Sequence, residues 1–203
     1  NLIFAGSGES YLIGRVHRNG HESPKLFITL GSNDVTHHET VTTHAGFRFK
    51  STPDDRYFED YVPGAVHEFG SIAVDEKEVI EFGKRYVPLS YHVDKEAAKN
   101  SIYGGVIASG WHTAALMMRI YTEIYLSQVA NLGSPGGDEL RWNKPVFPGD
   151  ELSVRATVLE ARRSESRPDR GIVRTFIEVL NQKREVVMSP KMVNFVRCRE
   201  PQA

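Results

Sequence analysis

Apolar residues fall on nearly every face of the segment from residue 110 to about residue 128, which contains no Pro and no Gly after its first position. The polar positions His112, Arg119 and Glu123 are spaced by seven and four residues, so on a helix they form a narrow stripe. A helix that is apolar almost all round is typical of a protein interior. The pattern therefore predicts a long helix at the centre of the domain.

Ser109 and Gly110 stand where this helix is predicted to begin. The first turn of a helix has backbone N–H groups without intrahelical partners, and it carries the positive end of the helix dipole. Such an end attracts an anion or a developing oxyanion. Two plainer interpretations also hold: Ser109 is an ordinary cap, and Gly110 permits close packing.

Shorter elements are predicted before this helix. Asp75, with Glu78 three positions later, is typical of a helix start, and Asp94 is a second candidate cap. Pro88 is predicted to end the first of these helices, because the residue before a proline avoids helical geometry. In chain order the elements are a strand over 66–74, a helix from Asp75 to about Arg85, an irregular segment over 88–93 and a helical turn over 95–99.

The second half of the chain has the pattern of antiparallel strands. Leu152, Val154, Ala156 and Val158 alternate with polar residues, as in a half-buried strand. Two more strands are predicted over 172–180 and 186–197, with a bulge or break at Pro190. An antiparallel sheet that curls around one buried helix satisfies this order, so the predicted fold class is α+β.

Residues 1–55 differ from the rest, with short strand-like runs separated by Gly, Asn, Ser and Pro. Only His17 and His21 have a helical spacing suited to a metal, and they flank Gly20, so no metal site is predicted. Residues 1–8 are interpreted as a linker or tag remnant. We therefore expect residues 1–55 to be an extension of unknown role and residues 56–203 to be the folded domain. The other histidines of the extension are His37, His38 and His44.

Charge and composition exclude several classes of protein. The 203 residues include 25 basic and 26 acidic side chains, and this balance gives no indication of nucleic-acid binding. No apolar run reaches the ~18 residues of a membrane span, and the start does not have the pattern of a secretory signal. The single cysteine, Cys198, excludes a disulfide framework within the chain and fits a reducing compartment. A cytoplasmic protein is expected.

Several motifs, in order over about 140 residues, are similar to those of one family. The span from about Arg56 to Arg197 resembles the MaoC-like dehydratases, which are hotdog-fold relatives of the (R)-specific enoyl-CoA hydratases. The resemblance implies a hotdog fold, in which an antiparallel sheet wraps around one long central helix. The matching pieces are Arg56–Asp60, His92–Ala98, Tyr103–Gly105, Ile107–Thr113, Asp138–Trp142 with Pro145, Pro148–Asp150 and Glu178–Gln182.

The resemblance also implies a site. In the family, an Asp and a His five residues apart hold and deprotonate a water, and a backbone N–H at the start of the long helix takes the charge on the thioester oxygen. His92 matches the family's histidine and Gly110 its oxyanion glycine, while Ser109 could bind the water or the thioester. Val87 stands where the family has its aspartate.

Three functions follow as hypotheses. The first is a hydratase or dehydratase of an acyl-CoA thioester, a lyase of fatty acid metabolism that needs no metal and no redox cofactor. The second is an acyl-thioester-binding hotdog protein that has lost turnover, because Val87 replaces the acid. The third is thioester hydrolysis, for which no positioned carboxylate is found. The resemblance further implies a homodimer or a dimer of dimers, with no nucleic-acid or membrane partner.

Overall fold

The structure of the protein is a computed structural model that describes residues 2–5, 9–18, 21–28 and 49–200. Its strands are β1 Leu2–Ala5, β2 Glu9–Arg18, β3 His21–Ile28, β4 Val66–Ala73, β5 Gly136–Trp142, β6 Glu151–Arg163, β7 Arg170–Leu180 and β8 Val186–Arg197. Its helices are α1 Glu76–Tyr86, α2 Ser90–Val93, α3 Lys95–Lys99 and α4 Gly110–Ile120. Two short 3₁₀ turns, Pro53–Asp55 and Phe58–Asp60, precede β4.

Strands β4 to β8 form one five-stranded antiparallel sheet in the order β4-β6-β7-β8-β5. The alternating residues of β6 are fully buried, as their pattern predicted, and α4 packs against β4 and β6. Tyr121 and Tyr125, in the turn that continues α4, are also fully buried. The α+β prediction is confirmed: this sheet, wrapped around one central helix, is the hotdog arrangement.

Gly70 allows the helix to approach the sheet closely. It lies in β4 at φ +72°, beside an irregularity in the pairing with β6 between Phe69 and Ile72. A Cβ at this position would lie 2.2 Å from Cγ2 of Ile120. Only a glycine tolerates both this φ and this contact, so the end of α4 can lie directly on β4.

The central helix is shorter than predicted. The α-helix ends at Ile120 and continues as a π-helical turn, Tyr121–Tyr125, in which the Leu126 N–H donates to the Tyr121 carbonyl. The buried guanidinium of Arg56 ends this turn by donating to the carbonyls of Ile124 and Tyr125, at 2.9 and 2.5 Å. Arg56 thereby joins the segment before β4 to the carboxyl end of the central helix.

One side of the central helix is exposed among the residues that the structure describes. Trp111, Ala115 and Ile124 are exposed, although a helix apolar on nearly every face was expected to lie in the interior. Within the predicted polar stripe, Arg119 and Glu123 form a surface ion pair, whereas His112 is buried.

Three further local predictions were wrong or incomplete. The segment over 88–93 was expected to be irregular, but Ser90–Val93 forms one helical turn. Strand β5 was not predicted; it is an edge strand with mostly exposed side chains, so it lacks the alternation that marks a half-buried strand. β8 runs unbroken through Pro190, and the irregularity lies in β5 between Asp138 and Arg141, opposite it.

Strands β1 to β3 form a separate three-stranded antiparallel sheet. Leu2–Ala5, interpreted from sequence as part of a linker, pairs with β2 and is a strand of this sheet. The boundary between residues 55 and 56 stays a prediction. Within the part of the chain that the structure describes, no helix has the length and apolar character needed to cross a membrane.

Candidate functional site

His92 is held in one orientation by two hydrogen bonds between its own segment and the segment before α4. Its Nδ1 lies 2.8 Å from the carbonyl oxygen of Ile107, and the Ile107 N–H donates to the Tyr91 carbonyl at 3.2 Å. Because a carbonyl can only accept, Nδ1 carries the proton, which leaves Nε2 with a lone pair when the ring is neutral. The imidazole is therefore buried and oriented, with Nε2 available as a base.

At the start of α4, the capping side chain binds one backbone amide, and two further amides have no acceptor among the described residues. The buried Ser109 hydroxyl accepts from the His112 N–H at 3.1 Å, and the Ser109 carbonyl accepts from the Thr113 N–H at 3.0 Å. The amides of Gly110 and Trp111 have no acceptor among the residues that the structure describes. Two free N–H groups at a helix start can take an anionic oxygen.

The predicted site residues line a single cleft with a volume of about 410 Å³. His92, Ser109 and Gly110 all contribute to its wall, as does Val87. The structure thus brings together every residue singled out from the sequence as catalytic. The roles given to these residues stay predictions.

Val87 lines the cleft at the carboxyl end of α1, where its N–H donates to the Gly83 carbonyl. It therefore occupies a position from which an aspartate could reach the same space as His92. No Asp or Glu is present among the described residues that line the cleft. Besides the indoles of Trp111 and Trp142, the polar side chains there are those of Tyr91, Tyr103, Ser109, Thr113, Asn143 and Lys144, with His92 itself.

Asp94 does not substitute for the missing carboxylate. Its side chain accepts from the Glu96 and Ala97 amides at 2.9 and 3.0 Å, and so caps α3. It is exposed and lies outside the residues that line the cleft. The plain interpretation of Asp94 as a cap is confirmed.

Trp142 was not singled out from the sequence as a site residue. It ends β5, lines the cleft and covers the first residue of α4: a Cβ on Gly110 would lie 2.3 Å from Nε1 and Cε2 of the indole. The Trp111 ring packs edge-on against it, with ring centroids 5.4 Å apart. Gly110 is therefore required by a close approach between helix and indole.

His112 belongs to the packing between α1 and α4 rather than to the cleft. Its ring stacks on Phe82 with centroids 4.8 Å apart, and it is not among the cleft residues. Burial lowers the pKa of His112, and the carboxylate of Glu78 opposes part of that effect. The neutral form, which suits an apolar contact, is thereby favoured.

The histidines of the extension give no support to a metal site. His17 and His21 lie in β2 and β3, while His37, His38 and His44 lie outside the described residues. Across the described ranges, no group of three or more His, Cys, Asp or Glu side chains is placed to hold a metal ion.

Comparison with known proteins identifies relatives of the second part of the chain. Residues 64–178 match the profile of the family described as MaoC like domain. The structure of a MaoC-like dehydratase from Rhodospirillum rubrum is 38% identical in sequence and superposes with a TM-score of 0.66. That match covers 71% of this chain and 99% of the other.

Two relatives found by sequence differ in how much of their own length is matched. Bacillus subtilis YdeM, an uncharacterized protein, is 27% identical over 125 residues, which are 62% of this chain and 87% of YdeM. A mesaconyl-CoA hydratase from Cereibacter sphaeroides is 41% identical over 81 residues, which are 40% of this chain. The matched part is only 22% of that hydratase.

Proposed function

Because the chain belongs to the MaoC-like domain family, we propose that it adds water to a 2-enoyl-CoA thioester, or removes water from the corresponding 3-hydroxyacyl thioester. The observation that carries this proposal is the pairing of two groups in one cleft. His92 has an available Nε2, and the amide of Gly110 has no acceptor in the described chain. These are a proton-transfer group and an oxyanion donor.

In the proposed hydration, Nε2 of His92 accepts a proton from a water whose oxygen forms a bond to C3 of the enoyl group. The electron pair of the C2–C3 double bond moves toward the thioester oxygen, and the Gly110 N–H stabilises the enolate that results. The imidazolium then returns the proton to C2, and the thioester carbonyl is restored. The hydroxyl is then on C3, the hydrogen is on C2, and His92 is neutral again.

This scheme assigns both proton transfers to His92, because Val87 cannot take part in either. A positioned acid or base contributes a factor of ~10²–10⁴ in rate. We therefore expect a hydratase slower than one with the complete pair. The burial of His92 and its bond to Ile107 support the assignment, since a single group that works twice must keep one orientation.

We further propose that residues 56–203 form the catalytic domain and act as a homodimer. Two features of the described residues support a dimer: the exposed side of the central helix and the outer edge of β5, which pairs with no described strand. An exposed strand edge invites pairing with another chain. The lone buried thiol of Cys198 suits the cytoplasm as the compartment.

A second candidate function is the binding of an acyl thioester without turnover. The absence of any carboxylate from the described wall of the cleft favours it. In that case the cleft would hold the acyl group and the Gly110 amide would bind the carbonyl, while no water would be activated.

Hydration of crotonyl-CoA, followed by the loss of enoyl absorbance, distinguishes the two functions. If the protein is a hydratase, the wild type should turn over crotonyl-CoA. Its kcat should increase at least tenfold in Val87→Asp, which adds a second proton-transfer group. The matched control is Val129→Asp, because Val129 is exposed and lies outside the cleft. An inactive wild type that Val87→Asp activates would identify the binding protein.

Absence of turnover in the wild type and in Val87→Asp would contradict the hydratase proposal for this substrate. Binding of crotonyl-CoA, measured on the same preparations, then decides whether the second function survives.

A further inference from the structure

Trp142 presents an unused hydrogen-bond donor at the start of α4. The three atoms nearest to a Cβ placed on Gly110 are Cε2, Nε1 and Cδ1 of the indole, at 2.3, 2.3 and 2.8 Å. This is the pyrrole part of the ring, with the N–H at its centre. Since a Cα–Cβ bond is about as long as a Cα–C bond, about 1.5 Å, Nε1 lies within about 4 Å of the Gly110 Cα.

The donor has no acceptor within the described chain. An indole nitrogen can only donate, and Nε1 of Trp142 makes no hydrogen bond to a described residue; the contacts of Trp142 are its strand pairing and the Trp111 ring. The Gly110 and Trp111 amides likewise have no acceptor among the described residues. Three N–H groups without a protein acceptor therefore lie at one end of α4, beside a cleft whose described wall has no carboxylate.

The ring is held there by its neighbours. Trp142 is the last residue of β5, paired with Met188 of β8, and its ring forms a T-shaped pair with that of Trp111 at an interplanar angle of 78°. Yet both residues keep about half of their surface exposed, 48% for Trp142 and 59% for Trp111. Large aromatic groups of this kind, apolar on the body and polar at one tip, are typical of contact surfaces.

We propose that Trp142 is a further catalytic residue, whose Nε1–H donates to the thioester oxygen together with the Gly110 amide. This inference rests on the proposed function, because the oxygen it addresses is that of a bound acyl thioester. The proton stays on the indole throughout, so the bond stabilises the negative charge of the enolate without any transfer. A donor aimed at charge that develops in the transition state acts on kcat more than on KM.

The direct test is Trp142→Phe, which keeps an aromatic ring in place and removes only the N–H and part of the ring area. We expect kcat for crotonyl-CoA hydration to fall at least tenfold and KM to rise by a smaller factor than kcat falls, since the loss of one oxyanion donor costs ~10²–10³ at its largest. The matched control is Tyr86→Phe, which removes an exposed O–H outside the cleft and should change kcat less than twofold. An unchanged thermal unfolding midpoint shows that Trp142→Phe folds.

Binding gives an independent readout, because the chain has two tryptophans and both line the cleft. Crotonyl-CoA is therefore expected to change the intrinsic fluorescence, and Trp111 still reports in Trp142→Phe. The Kd should rise about three- to tenfold in that variant, as expected for one lost hydrogen bond.

The outcomes separate this inference from the proposed function. A kcat for Trp142→Phe within twofold of an active wild type would overturn the role of Trp142 and leave the hydratase standing. If the wild type binds crotonyl-CoA without turnover, the hydratase proposal fails. A rise in Kd for Trp142→Phe then supports the hydrogen bond from Trp142, and an unchanged Kd overturns it. If the wild type does not bind crotonyl-CoA at all, both are overturned.

Discussion

At the residue scale, the close contact between Gly110 and Trp142 decides which side chain the first position of α4 accepts. Gly110→Ala keeps the backbone N–H but places a methyl group 2.3 Å from the indole. We expect the variant to lose about 1–3 kcal/mol of unfolding free energy, which is typical of an overpacked site. It should also alter the tryptophan emission of the folded protein.

Denaturant unfolding and emission spectra test this expectation. Gly105→Ala is the matched control, since no atom lies within 4 Å of a Cβ at that position and its φ is not in the left-handed range. If Gly110→Ala is as stable as Gly105→Ala and has the wild-type emission, the indole does not lie where the structure places it.

Asp94 provides a second test at this scale, because its carboxylate follows His92 by only two residues. Its two hydrogen bonds to the first turn of α3 make it a cap. Asp94→Ala should therefore lower the unfolding free energy by about 1 kcal/mol and leave kcat for crotonyl-CoA hydration within twofold. Asp94→Asn, which can still cap, should retain most of that stability. A loss of kcat in both variants would show that Asp94 takes part in catalysis.

Residue-level prediction succeeded where a residue acts through its own neighbours in the chain. Caps such as Ser109, Asp75 and Asp94 follow from the side chain and the two or three amides after it. The role of Trp142 depends instead on a contact with Gly110, 32 positions earlier. Within its own strand it shows no alternation, because β5 is an irregular edge strand.

At the element scale, the packing of α1 against α4 through His112 makes the fold sensitive to acid. The folded protein holds the pKa of His112 below its ordinary value, and burial also lowers the pKa of His67, to about 4. Below about pH 6.5 the unfolded chain binds protons at these positions that the folded protein does not. The contribution of these two histidines to the unfolding free energy is therefore fully present above about pH 6.5. It falls as the pH decreases toward their pKa values in the folded protein.

The variant His112→Leu isolates one of these contributions. Between pH 7 and pH 5, its unfolding free energy should fall less steeply than that of the wild type, by up to about 1.4 kcal/mol per pH unit for one histidine. Urea unfolding at several pH values measures the two slopes. Equal slopes would mean that His112 is protonated in the folded protein as readily as in the unfolded chain.

Element-level prediction located the long helix and the strands β4, β6, β7 and β8 because their apolar spacing is regular. It failed at α2 and at the π-helical turn Tyr121–Tyr125. A single helical turn after Pro88 is too short to show a period, and the shift to π geometry is fixed by buried contacts. Among these are the Arg56 bonds to the carbonyls of Ile124 and Tyr125.

At the scale of the whole molecule, the exposed side of the central helix and the open edge of β5 lead to the expectation of a dimer. Light scattering coupled to size exclusion should give twice the chain mass of 22.8 kDa at micromolar concentration. A mass of one chain at that concentration would contradict the dimer and show that the cleft is formed by a single protomer.

The overall architecture could be predicted from sequence because one apolar helix followed by alternating strands has few solutions. The site could be predicted in part, since His92, Ser109 and Gly110 meet in one cleft together with Val87. The sequence does not determine what faces Nε2 of His92, because that space is enclosed by segments far apart in the chain, from Leu89 to Val187.

We propose that His92 carries out proton transfer at an enoyl thioester. The variant His92→Gln tests this role when its kcat for crotonyl-CoA hydration is measured. Glutamine can keep a hydrogen bond to the Ile107 carbonyl but cannot exchange a proton near neutral pH. We expect kcat to fall about 10²-fold or more, with the unfolding midpoint and the affinity for crotonyl-CoA close to those of the wild type. A kcat within threefold of an active wild type would contradict it.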